Sequence, residues 1–374
     1  MNNLAQFRNK NHVKILVKKL HSNYPGGTLK LMEVCGTHTM AIARYGLRGL
    51  MPDGLKLISG PGCPVCVTPA SIINASIKLS ELPGTVIITF GDMMRVPGTH
   101  VTGTHVPWSE KTLEIRKAEG ADVRIIYSVL DMLEMAREEK NKNFVFISIG
   151  FETTTPGIAI SIIEAKKIGL KNVFFLTANR LIVPAMHALC RAADIQIHGF
   201  LCPGHVSVII GYDAYREIAD QYSIPCVVAG FEPVDILLAI DDIIDRISKK
   251  SAGVGNAYGR VVTERGNTQA MDIMHQVFKP VQAEWRGIGS IPNSGLDLRD
   301  EYTHFDALKK FNIKLVSQPE PKGCRCGDVL RGVIIPPECG LFSKTCTPET
   351  PVGPCMVSTE GSCAAYYKYG VGAE

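Results

Sequence analysis

The sequence predicts an α/β protein in three parts: two similar parallel-sheet α/β units, then an irregular C-terminal domain rich in cysteine. Three observations carry this. From about Leu29 to Lys249, short apolar, β-branched runs alternate with helix-length amphipathic stretches. Most of the runs are continuously apolar, as suits parallel strands covered on both faces. Six of the 12 cysteines of this 374-residue chain fall between Cys324 and Cys363, in a stretch dense in proline and glycine.

Each element has its own justification. Strands are predicted at Leu29–Val34, Leu55–Ile58, Thr85–Phe90, Val123–Tyr127, Phe144–Ile149, Val173–Thr177, Ile197–Leu201 and Pro225–Ala229. Helices are predicted near Thr39–Leu50, Pro69–Leu82, Leu130–Lys140, Pro156–Ile168, Val183–Ala193 and Pro233–Lys249, several opening on a proline whose missing N–H costs nothing in the first turn. The charged segment Arg137–Asn143 marks a boundary, giving a first α/β domain over 22–140 and a second over 141–250. Phe151-Glu152 and Phe231-Glu232, each following an apolar strand that ends in glycine, are a faint echo of duplication. Residues 251–374 form the third domain, held by a metal site more than by a large core, with the N-terminal helix 1–21 as a candidate addition to it.

Composition excludes several classes. With 45% hydrophobic and 20% charged residues the chain is an ordinary globular protein, not a disordered one. Lys plus Arg (40) nearly balances Asp plus Glu (36), and no basic block stands out, so no nucleic-acid partner is expected. No apolar run reaches the roughly 18 residues of a membrane helix, and Met1–Arg8 lacks the apolar core of a signal peptide. A cytoplasmic location without membrane attachment is the expectation. In such a reducing compartment, clustered cysteines point to metal ligation or thiol chemistry.

The strand ends are followed by turns rich in Gly, Cys, His and Glu. In open parallel sheets the cleft lies at the carboxyl ends of the strands, so these turns should converge there. Cys35-Gly36-Thr37-His38 sets a thiol and an imidazole across a helix start, where the helix N-terminus favours thiolate, and soft sulfur with nitrogen suits Fe(II), Zn or Cu(I). The bland alternative is a capping turn with an incidental cysteine. Cys63-Pro64-Val65-Cys66 stands between a strand and a helix, the setting of a dithiol/disulfide couple, with half of a zinc site as the alternative. Asp92, Glu152, Thr153, His205 and Glu232 are further cleft candidates, each as easily structural as functional. Cys190, Cys202 and Cys226 read as core residues. In the C-terminal third the gaps between cysteines are long and irregular, which suits an iron–sulfur cluster wrapped by loops better than a zinc knuckle. Spacing alone does not choose four ligands among six.

Together with Gly150-Phe151-Glu152-Thr153-Thr154, Cys202-Pro203-Gly204-His205 and Gly353-Pro354-Cys355-Met356-Val357-Ser358, these motifs resemble, over nearly the whole chain, the HypD family of [NiFe]-hydrogenase maturation factors. The resemblance implies a scaffold that, with a small HypC-type partner, holds the iron on which the Fe(CN)2CO group is built, cyanide coming from a HypE-type donor. The family's cluster motif has 14, 6 and 16 residues between its cysteines, and Cys324, Cys339, Cys346 and Cys363 match it. They are thereby implied as ligands of a [4Fe–4S] cluster. Cys326 and Cys355 are left beside it, a layout similar to ferredoxin:thioredoxin reductase, where a cluster passes electrons to a neighbouring disulfide. On this reading Cys35, with His38, holds a mononuclear iron that transiently carries CN and CO, and Cys63/Cys66 are the redox dithiol of the cleft. The rival reading is an iron–sulfur thiol–disulfide reductase acting on a protein substrate. An iron–sulfur transcriptional regulator is disfavoured because no basic helix–turn–helix segment is present.

Overall fold

In the computed structural model, which describes residues 5–98, 112–317 and 319–370, all eight predicted strands form, within about two residues of their expected limits. They are β1 (Leu29–Glu33), β2 (Leu55–Ser59), β3 (Thr85–Thr89), β4 (Asp122–Ile125), β5 (Asn143–Ser148), β6 (Val173–Thr177), β7 (Gly199–Pro203) and β8 (Cys226–Ala229). A short β9 (Val254–Asn256) follows, then an antiparallel hairpin of β10 (Phe278–Trp285) and β11 (Gly289–Leu298). The hairpin lies where the sequence suggested irregular chain.

Two parallel sheets result, as the fold class requires, with orders β2-β1-β7-β8-β9 and β4-β3-β5-β6. Their composition differs from the expected division of the chain. β3 pairs with β4 on one side and β5 on the other, so residue 140 lies inside one sheet's run of strands. The chain begins in the first sheet, crosses to build the whole of the second, and returns to complete the first. Pairing β1 with β7 closes that circuit in register Leu31↔Gly199 to Glu33↔Leu201.

Alternation along the strands distributes the core. Met32, Phe200 and Cys202 of the first sheet, with Ile87, Val145 and Leu176 of the second, fill one shared apolar layer. Leu31, Leu201 and Val227 point the other way, under the helix Pro233–Ser248. The N-terminal helix Lys10–Asn23 packs on that same helix, because its stripe Val13, Leu16, Val17 and Leu20 matches this layer, so it joins the first sheet and not the C-terminal segment. The second sheet's far face, with Phe144 and Phe146, is covered by Phe278 and Leu296 of the hairpin. The C-terminal cysteine segment has no separate core: Cys326, Leu330, Cys355 and Met356 belong to the shared layer. No helix among the described residues is long and apolar enough to cross a membrane.

Candidate functional site

The carboxyl ends of β1, β2, β3, β5 and β7 converge on a cleft of about 300 Å³ between the two sheets. Its lining includes Cys35, Thr37, Asp92, Thr153, His205 and Glu360. Cys35 follows the last residue of β1 by two positions and caps the helix Gly36–Arg44 in extended conformation. The CxxC loop is pressed against it. A Cβ at Gly62 would stand 2.1 Å from the Cys35 nitrogen, so only glycine admits this approach, and the Gly36 N–H donates to the Gly62 carbonyl at 3.1 Å. Cys63 caps the short helix Pro64–Val67 and is joined to Cys66 by a disulfide, with Cα atoms 5.2 Å apart and both residues buried.

Glu360 has no local sequence signal and was not expected in the cleft. It accepts a hydrogen bond from the Thr37 hydroxyl at 2.5 Å, and the Ser358 hydroxyl donates to Asp92 at 2.9 Å. The C-terminal segment thus closes one wall of the cleft. Burial, followed by the Glu360 charge, pushes the Cys35 thiol up to about 12, against the pull of the N–H groups of Thr37 and His38. The helix start alone therefore does not make a thiolate here. A bound cation would supply the missing charge.

His38 does not line the cleft. Its Nε2–H donates to the Gly230 carbonyl at 2.9 Å, with the Ala229 carbonyl at 3.2 Å, and its ring lies 4.8 Å from Phe231, whose other neighbour is His205 at 3.9 Å. Burial lowers its pKa to about 4, so the ring is neutral, and the buried Nδ1 has no hydrogen-bond partner among the described residues. Glu152 stands behind the cleft wall, accepting from the Ile182 N–H at 3.0 Å, its pKa raised to about 7 by burial. Glu232 lies outside the cleft altogether, in a two-point pair with Arg8 at 2.6 and 2.7 Å. Cys202 and Cys226 are fully buried in the core as expected, and Cys190 is partly buried.

The second sulfur site is a small apolar pocket lined by Cys324, Cys326, Cys339, Cys346 and Cys363, with Leu341, Phe342 and Met356. Cys355 is fully buried beside the thiols of Cys326 and Cys363; hydrogen bonds from Cys326 and Cys355 hold the Cys363 thiol below its ordinary value, while those with Cys326 and Cys363 push Cys355 up. Among the described residues no three His, Cys, Asp or Glu side chains are drawn together as ligands of one ion. The donor set nevertheless fits an iron–sulfur cluster: soft sulfurs from separate loops face one apolar space, and a Cβ at Gly353 would stand 2.5 Å from the Cys326 sulfur and 2.8 Å from that of Cys324.

The two sulfur sites adjoin. The helix Pro64–Val67, bearing Cys66, packs on Pro354–Val357, bearing Cys355, and the Cys35-capped helix packs on Ser362–Tyr369, bearing Cys363. Arg286, at the hairpin turn, was not anticipated. It is buried, its Nε donates to the Thr68 carbonyl at 2.9 Å, and its backbone N–H donates to the Val67 carbonyl at 2.8 Å, which holds the end of the CxxC helix.

Known proteins are similar to nearly all of this chain. Hydrogenase maturation factors HypD from Azotobacter vinelandii (42% identical over 353 residues, 92% of this chain and 90% of the relative) and Rhodobacter capsulatus (43% over 346 residues, 91% and 89%) are similar along most of their length. The factor of that name from Cupriavidus necator is 40% identical over 353 residues, 92% of this chain and 91% of its own. A family model named HypD and described as "Hydrogenase formation hypA family" matches residues 11–370, and the chain therefore belongs to the HypD family.

Proposed function

We propose that this hydrogenase maturation factor is an iron-binding assembly scaffold with a built-in thiol relay. Cys35 holds the cargo iron in the cleft, which has room for an ion and small diatomic ligands. Iron displaces the Cys35 proton, and Glu360 is the neighbouring carboxylate placed to take it. His38 acts from outside the cleft: its hydrogen bond to Gly230 fixes the helix that Cys35 caps. A HypC-type small partner shares the iron at the cleft mouth, and a HypE-type donor delivers cyanide there. The cytoplasm is the compartment in which such thiols keep their function.

Cys324, Cys339, Cys346 and Cys363 would hold a [4Fe–4S] cluster, which supplies single electrons when bound. Cys326 lines that pocket, and Cys355, beside it, lies on the helix that packs on the helix of Cys66. Opening the Cys63–Cys66 disulfide takes two electrons and two protons and leaves two thiols beside Cys35. The observation that carries this reading is the packing of the Cys66 helix on the Cys355 helix, which sets the Cys63–Cys66 disulfide, buried behind the cleft residues Gly62, Pro64 and Val65, against the cysteine segment.

Mössbauer and infrared spectra of anaerobically purified protein, with and without its small partner, test it. CN and CO bands are expected in the wild type and absent in Cys35→Ala, while Cys63→Ser keeps the cluster but fails to load. Bands that persist in Cys35→Ala sink the iron assignment. A Cys35→Ala protein that still catalytically reduces a partner disulfide would establish the reductase reading instead, although the burial of Cys63 and Cys66 gives a protein disulfide little access.

A further inference from the structure

Against the helix Ser362–Tyr369, which bears Cys363, lies a largely buried ion pair that neither the cleft nor the proposed ligand set uses. Arg48, in the 3-10 turn Leu47–Leu50, places its guanidinium 4.8 Å from the centre of the Tyr366 ring, donates from Nη2 to Glu33 at 2.7 Å and from Nε to the Leu57 carbonyl at 3.3 Å. Glu33 is fully buried on β1, also accepting from the Ser59 hydroxyl at 3.1 Å. Its second oxygen and the Arg48 Nη1 are buried with no hydrogen-bond partner among the described residues. A buried ion pair left partly unsatisfied is usually no more stable than an apolar replacement, so stability does not account for it. Its position does. Tyr366 follows Cys363 by one turn on the buried face of the helix Ser362–Tyr369, so its ring stands between the Arg48 guanidinium and the part of the helix that bears Cys363.

We propose that Arg48, stacked on Tyr366 and anchored by Glu33, is a positioning residue that holds a fixed positive charge behind Cys363 and raises the reduction potential of the cluster in the cysteine pocket. This rests on the cluster reading given above. A cation close to a cluster in a water-poor setting favours the form carrying one more electron, since net charge near the sulfurs is one of the determinants of potential. The planar stack fixes the distance, which a mobile surface lysine would not do.

Anaerobic redox titration of the reconstituted full-length chain, followed by the paramagnetic signal of the reduced cluster, is the test. R48M is expected to lower the reduced-to-oxidised ratio about tenfold at the wild-type midpoint, a shift of about 59 mV to more negative potential for a one-electron couple. R48K, which keeps the charge, restores most of that shift. Tyr366→Leu removes the stacking face without touching charge or ligand, and moves the midpoint the same way as R48M. E33Q leaves the midpoint in place or raises it. An unmoved midpoint in both R48M and Tyr366→Leu, at full cluster content, overturns the proposal, as does a lowering by E33Q equal to that by R48M, which would mark a general structural disturbance. A wild-type chain that takes up no cluster overturns the underlying cluster reading instead.

Discussion

The cleft and the cysteine pocket hold their sulfurs in opposite ways. In the cleft, Cys35 and Cys63 are helix caps at the ends of parallel strands, and backbone hydrogen bonds between their loops set their separation. In the pocket, the thiols come from loops and short helices spread over about forty residues; those of Cys324, Cys326, Cys355 and Cys363 bond to one another, and those of Cys339 and Cys346 meet loop backbone. Regular elements preorganise a site without a ligand, whereas a loop-built site depends on whatever fills it. The cleft should therefore keep its shape when emptied, and the pocket should not.

Removing a ligand gives the largest expected difference. Cys346→Ala or Cys363→Ala should abolish the absorbance near ~400 nm expected of a [4Fe–4S] cluster and make residues 319–370 the first site of proteolysis, while Cys35→Ala should change neither. Equal protease sensitivity of the three variants would erase the contrast.

Next comes the loop contact that shapes the cleft. Gly62→Ala puts a methyl group into the Cys35 backbone, so the two loops must part. Denaturant titration should show a loss of about 1–3 kcal/mol, with iron retention falling and cluster content unchanged. Wild-type iron content in this variant would show that the loop contact does not set the iron site.

Glu152 sharpens the comparison through pH. Its pKa is raised from 4.5 to about 7 in the folded chain, so below pH 4.5 both folded and unfolded forms are protonated and the stabilising contribution is complete. As pH rises through about 7 the buried group must ionise and that contribution is lost, on the order of 3 kcal/mol before solvent relaxation. Glu152→Gln keeps the acceptor for Ile182 and should flatten this loss: more stable than wild type at pH 8, equal at pH 4. Parallel stability curves from pH 4 to 8 would refute the assignment.

The smallest effect belongs to the carboxylate that sequence placed at the cleft and the structure does not. Glu232→Gln breaks a pair whose Arg8 partner is largely exposed, a cost of roughly 0–1 kcal/mol, and iron loading should be untouched. A loading defect here would return Glu232 to the functional site.

Much of the fold was legible locally. Most of the eight strands were marked by near-continuous apolar runs, and helices such as Pro233–Ser248 by a first-turn proline. The hairpin was not, because Pro280 interrupts β10 and a bulge between Val281 and Ala283 breaks its alternation, although Gly287 at positive φ and the buried Trp285 and Ile291 on either side of the turn were a usable signal. In the site, the cysteine motifs were legible because Cys, Gly and Pro at short spacing have few other uses. Glu360 was not, since a single carboxylate between Thr359 and Gly361 carries no periodicity and no spacing partner.

By itself, then, the sequence determined which segments are strands and helices, which turns end them, and where sulfur is concentrated, because these follow from side-chain period and backbone propensity within a few residues. Only the tertiary structure decided that β1 pairs with β7 and β3 with β5, that His38 turns to the Gly230 carbonyl and away from the cleft, and that the CxxC helix rests on that of Cys355. Those choices depend on contacts between residues more than fifty positions apart, selected by shape and burial over the whole chain, and no local pattern encodes them.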